Sequence, residues 1–221
     1  MLINQSWKYK IDDNIDFIEV SWDIDVLIID FNKNWDIKRN INITWWAKVD
    51  YRLWFVWENI FNINFELLDK QSDLNISSLS FSKNNEIVDW NLSVNLLSEN
   101  TYSDTEINAI CFDWWVINIS GDVYIDYGSY KSEWYLQQRT LFLSDRASSS
   151  LTPKLDVACN DVKASHWASI SKLDEVTKFY LLTRWLSLSQ INELMVSWYI
   201  TNFLDWTNYD SLKNEFFDYI Y

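Results

Sequence analysis

The side chains able to do chemistry are few and scattered. The chain holds one histidine, His166, and two cysteines, Cys111 and Cys159. A single histidine excludes a His-rich zinc site. Two cysteines so far apart lack the paired spacing of a structural zinc site and do not make a disulfide framework. No phosphate-binding loop or Gly-rich dinucleotide turn is present. Carboxylates are abundant, 32 Asp and Glu against 18 Lys and Arg. At a formal net charge of −14 most of them form a solvated face, and no glycosidase pair stands out. So acidic a surface repels phosphate backbones and anionic lipid, which argues against nucleic acid and membrane partners and leaves a basic protein or a cation. No apolar run approaches the roughly eighteen residues of a membrane span. The segment from Met1 to Lys10 lacks the charged and apolar regions of a signal peptide. The cysteine usage fits a reducing, cytoplasmic location.

The elements that must position these groups change character near residue 170. Before it, short alternating or β-branched runs dominate: Asp16 to Val20, Asp25 to Asp30, Ile41 to Thr44, Phe61 to Phe65, Val116 to Ser120 and Asp122 to Asp126. Asn, Asp, Ser or Trp separate them, with no clear helix between. This spacing fits a sandwich, a barrel or an irregular β-solenoid. Beyond residue 170 the pattern is helical. Ser171-Lys172-Leu173-Asp174 reads as a capping box, and Ser187 to Gln190 as a second one. Ile191, Leu194, Met195 and Trp198 follow at helical spacing as a core-facing stripe. A third helix is expected from Asp210 through Leu212, Phe216, Phe217 and Ile220. The division is therefore a β core over 1–170 and a helical subdomain over 171–221.

Glycine and tryptophan usage is inverted, with two glycines and fifteen tryptophans. Ordinary usage of roughly 7% would give about fifteen glycines. Tryptophan also stands where turns and caps favour glycine: Asn34-Trp35-Asp36, Trp45-Trp46, Trp114-Trp115 and Arg184-Trp185-Leu186. A helix ending Leu-Leu-Thr-Arg calls for a left-handed residue next, and glycine is the usual one. Some genetic codes read UGA as tryptophan and others as glycine. The expectation is that most of these tryptophans are glycines rendered through the wrong code.

The stretch from Lys131 to Leu186 carries the most specific signal. Gln137, Leu141, Leu143, Ser144 and Asp145 lie in one expected strand, Pro153 and Leu155 in the next. Asp161, Val162, Lys163, Ser165, His166 and Ala168 form an expected loop. Leu173, Asp174, Glu175, Phe179, Tyr180, Leu181, Arg184 and Ser187 open the helical segment. In this order they resemble the C-terminal end of the SufB/SufD core, from the SUF system of iron–sulfur cluster assembly. Trp167 and Trp185 fall on two glycines of that pattern. The Ser-His-Trp form resembles SufD more than SufB.

The resemblance implies a mainly β fold: a right-handed parallel β-helix followed by a small helical subdomain. It implies a non-enzymatic scaffold that pairs through the β-helix with a SufB-type subunit or with itself. It also implies docking of a SufC-type ATPase through a region containing Phe179, Tyr180, Arg184, Leu194 and Met195. His166 maps onto the family histidine at the subunit interface, where a transient iron–sulfur cluster would sit; Cys159 and Ser165 are further candidates for that site. The family's loop cysteine falls on Ala164, so that thiolate is missing. Cys159 is expected on the preceding strand, facing away from His166, and as a small buried apolar residue it needs no ligand role. Cys111 is read as core. The chain is about half the length the resemblance leads one to expect, and so is a compact version or a piece of a longer reading frame. The competing reading is a secreted or cytoplasmic β-solenoid that binds or acts on carbohydrate through tryptophan platforms. A third is a solenoid with no partner.

Overall fold

The computed structural model describes residues 1–11, 15–32, 36–56, 59–82, 87–112 and 116–204. The third expected helix and the Trp35 and Trp114-Trp115 turns lie outside the described residues. The chain folds into a parallel β-solenoid flattened between two seven-stranded sheets. One sheet takes β1 (Leu2–Ile3), β3 (Phe17–Val20), β5 (Asp36–Ile43), β7 (Asn59–Leu67), β9 (Ile87–Leu96), β11 (Val116–Ile125) and β13 (Ser148–Val157). The other takes β2 (Lys8–Ile11), β4 (Asp25–Asn32), β6 (Lys48–Val56), β8 (Asp73–Ser82), β10 (Tyr102–Cys111), β12 (Glu133–Phe142) and β14 (Lys163–Lys172). Each coil thus adds one strand to each sheet.

The two-residue period explains the architecture. In β11, exposed and buried residues alternate along the whole strand, so Ile117, Ile119, Val123 and Ile125 face the opposite sheet. Val116 to Ile125 is one continuous strand, where the sequence reads as two strands broken at Gly121. Tyr51 packs edge-on against Phe65 of the opposing sheet at 5.1 Å, and Phe61 stacks on Trp90 of the next coil at 6.0 Å. A buried polar pin joins the sheets near the N-terminal end. Arg39 of β5 donates to both oxygens of Asp30 at 3.0 and 3.2 Å and to the Ile15 carbonyl at 2.9 Å. Tyr51 donates its hydroxyl to the same carboxylate. Burial holds the Tyr51 pKa well above its ordinary value, so the phenol stays protonated and keeps donating.

Helices follow β14: α1 (Glu175–Thr183) and α2 (Leu188–Leu204). β14 runs to Lys172, two residues past the expected boundary. Ser171 lies in that strand, and Asp174 itself caps α1 by accepting from the Thr177 amide at 2.8 Å. The second cap forms as expected: Gln190 Oε1 accepts from the Ser187 amide at 2.9 Å, and Ser187 Oγ accepts from the Gln190 amide at 3.3 Å.

The second helix packs against the solenoid. Val196, Ile200 and Phe203 of α2 pack onto Ile29, Trp54, Leu79, Phe81, Ile110 and Leu141 on the outward face of the even-numbered sheet. That face is apolar because strand alternation lapses at its far end, as in Ala109-Ile110-Cys111, all three buried. A strand covered on both faces reads as a continuous apolar run. The expected helical stripe is correspondingly rotated. Leu194 and Trp198 point to solvent, Met195 is partly buried at the margin, and Ile191 is buried.

Candidate functional site

Two features of the C-terminal third stand apart from the packed solenoid. The first is α1. Its cap holds the Asp174 carboxyl below the usual range through hydrogen bonds at Thr177, yet none of its residues is buried. Val176 is 78%, Phe179 68% and Tyr180 54% exposed. Arg184 lies over the Tyr180 ring at 5.1 Å and donates to its hydroxyl at 3.1 Å, which fixes both at the helix end. Leu188 and Leu194 of α2 extend the exposed apolar set. Four of the five expected docking residues are therefore exposed, with Met195 at the margin. Contiguous apolar groups left uncovered by the described residues mark a surface suited to contact.

The second feature is the open end of the solenoid. β13 and β14 are each last in their sheets among the described strands. Lys163 to Ala168, expected within a loop, lie in β14, a strand paired in register with β12, with His166 opposite Leu136 and Ser165 opposite Tyr135. Leu136 faces the core, so His166 takes the inward parity of the last coil, flanked on that face by Ala164 and Ala168. With no further coil over it, the imidazole side chain remains exposed. Ser165 takes the outward parity and does not share a face with His166. Cys159 lies between β13 and β14, not on a strand, and is buried in the core. The intervening turn breaks the parity inferred from sequence, so Cys159 faces inward. Cys111 is also buried, and burial pushes its thiol up to about 12, which makes it a poor thiolate donor.

Among the described residues no three His, Cys, Asp or Glu side chains converge as a metal site. A third region went unforeseen: a cleft of 640 Å³ beside α2, lined by Asp50, Arg52, Asp104, Glu106, Arg139 and Tyr199 among others. Arg139 pairs with Glu106 and lies 5.4 Å from the centre of the Trp167 ring. Burial, and then the neighbouring Glu106, raise the Asp104 pKa. The period-two placement of these charges on β6, β10 and β12 was readable in the sequence, but the helix that roofs them was not assigned to this face. At the opposite end of the chain, Trp22 and Trp45 stack with ring centres 6.0 Å apart and 18° between planes.

A family model described as "SUF system FeS cluster assembly, SufBD core domain" matches residues 58–198. No curated protein matches the chain. The match takes in β7 onward and ends within α2. The coils of β1 to β6 continue the same alternation of sheets outside it. No described helix is long and apolar enough to cross a membrane.

Proposed function

The chain belongs to the SufB/SufD family of SUF iron–sulfur cluster assembly, and from that premise we propose that it is a SufD-like, non-enzymatic scaffold that docks a SufC-type ATPase through α1. The observation that carries this reading is the bare apolar face of α1 at Val176, Phe179 and Tyr180. A helix of nine residues is marginal in water alone. Cover by a partner supplies the burial that the chain itself does not. In this reading α2, anchored on the even-numbered sheet, transmits ATP-driven motion from α1 to the solenoid.

At the open end, a SufB-type subunit or a second copy pairs with the last coil and encloses His166. The nascent iron–sulfur cluster is cargo here. His166 would contribute a neutral imidazole nitrogen to iron, with the remaining ligands from the partner, and Ser165 and Cys159 would play no direct part. The work is then done in the cytoplasm, with no bond chemistry assigned to this chain.

Two substitutions test the reading in the co-expressed complex. Phe179→Asp abolishes recovery of the ATPase while leaving the chain folded. His166→Ala leaves that recovery unchanged and lowers the yield of assembled cluster. Undiminished cluster yield rejects the ligand role, and undiminished ATPase recovery rejects docking at α1. A second reading, carbohydrate binding, is favoured by the stacked Trp22 and Trp45 rings. It requires quenching or enhancement of tryptophan fluorescence by a sugar polymer.

A further inference from the structure

The backbone at four tryptophans is the backbone of glycine. Among the described residues, seven that are not glycine have positive φ: Trp22 at 84°, Trp45 at 57°, Trp46 at 60°, Gln71 at 60°, Asn100 at 56°, Lys131 at 60° and Trp185 at 66°. Four of the seven are tryptophan, while neither Gly121 nor Gly128 lies in this region. A side chain in the left-handed region brings Cβ against the following carbonyl oxygen; only glycine escapes this, and asparagine tolerates it best among the rest. A bulky aromatic is among the residues least expected there.

The geometry is imposed by the coil and not by tryptophan. The amides of Lys48, Asp73, Tyr102, Glu133 and Lys163 donate to the carbonyls of Ile24, Ala47, Ser72, Thr101 and Ser132 at 2.9 to 3.0 Å, which stacks one corner of successive coils. Trp46, Gln71, Asn100 and Lys131 immediately precede Ala47, Ser72, Thr101 and Ser132 in that stack. All four have φ between 56° and 60°. The corner therefore needs a left-handed residue whatever its identity, and the coil of β5 and β6 has two in succession, at Trp45 and Trp46. Trp185 is a separate case with the same demand. It follows the α1 cap Arg184, its amide donates to the Leu182 carbonyl at 3.1 Å, and its side chain is 96% exposed. That is the left-handed C′ residue of a helix, with a large ring that touches almost nothing.

We infer that the natural polypeptide carries glycine at 22, 45, 46 and 185, because its translation system reads as glycine a codon rendered here as tryptophan. Trp54, Trp90 and Trp134 stand outside this inference, since they lie in extended strands and are buried. A consequence follows for function. The stacked pair at Trp22 and Trp45 disappears, and with it the one observation that favours a sugar platform. The inference is independent of the SUF assignment, because it concerns what the ribosome inserts.

Peptide mapping by mass spectrometry of the protein from its native source tests it. The peptides covering 22, 45, 46 and 185 are expected to show glycine at each position, encoded by UGA in the gene. Tryptophan in the native peptide at any of the four, or a UGG codon there, overturns it. A recombinant comparison gives a second readout. The chain with Trp22→Gly, Trp45→Gly, Trp46→Gly and Trp185→Gly should unfold at a higher temperature than the all-tryptophan chain, by roughly 2–4 °C per site relieved. An equal or lower midpoint counts against it.

Discussion

At the scale of single residues, position relative to the coil decides what each candidate can do. His166 is exposed only because β14 is the last described strand of its sheet; one coil earlier, the same parity is filled by Leu136, buried in the core. Asp104 shows how the cleft beside α2 acts on charge. Its pKa is raised by burial and by Glu106, so the folded state binds its proton more tightly than the unfolded state does. Its ionised form therefore opposes folding. That penalty is absent below the unfolded value, near about pH 4, grows as pH rises through the folded value, and is complete above it. Asp104→Asn is expected to raise stability at pH 7, with the gain vanishing below about pH 4, as measured by denaturant midpoints across pH. Gly121 carries a different constraint. A methyl group there would lie 2.7 Å from Leu136 Cδ2 and 2.9 Å from Gln138 Nε2, both on buried side chains. Gly121→Ala is expected to cost about 1–3 kcal/mol by overpacking, read from urea unfolding. The sequence offers Val116 to Ser120 and Asp122 to Asp126 as separate runs, and β11 carries on through the intervening Gly121. Here it makes room for the inner side chains of β12, a cross-sheet contact that no local pattern contains.

At the scale of elements, the two helices have opposite relations to the body. α2 is held by Val196, Ile200 and Phe203 against the sheet, whereas α1 touches α2 and buries none of its own residues among those described. Val196→Asp places an unpaired charge in that interface and is expected to destabilise the chain by more than about 3 kcal/mol. Phe179→Asp is expected to stay within about 0.5 kcal/mol of the parent. Thermal unfolding of the two variants side by side measures the contrast. The strands were legible wherever Val, Ile and Phe alternate with Asn and Asp, as in β7 and β11. They were missed where Ser and Thr face inward, as in β10 with Ser103 and Thr105 buried. The helices and the second capping box were legible from spacing and cap chemistry. The buried face of α2 was not, since Leu194 and Val196 are both apolar and only the sheet decides which one turns inward. Similarly, Ser-His-Trp pointed to candidate residues but not to their strand geometry, because register with β12 fixes which of Ser165 and His166 faces in.

At the scale of the whole molecule, family match and fold agree. The matched residues 58–198 take up the later coils and both helices, and the earlier coils extend the same solenoid. A net charge of −14 disfavours anionic partners. The scaffold account combines that face, the uncapped last coil and the family's place in cluster assembly. Its most direct test is co-purification of the tagged chain with the SufC-type ATPase encoded in the same genome. The account predicts a stable complex that survives gel filtration and is lost with Phe179→Asp. A well-folded chain that recovers none of the ATPase would contradict it, leaving the solenoid with the family's fold but without its partner.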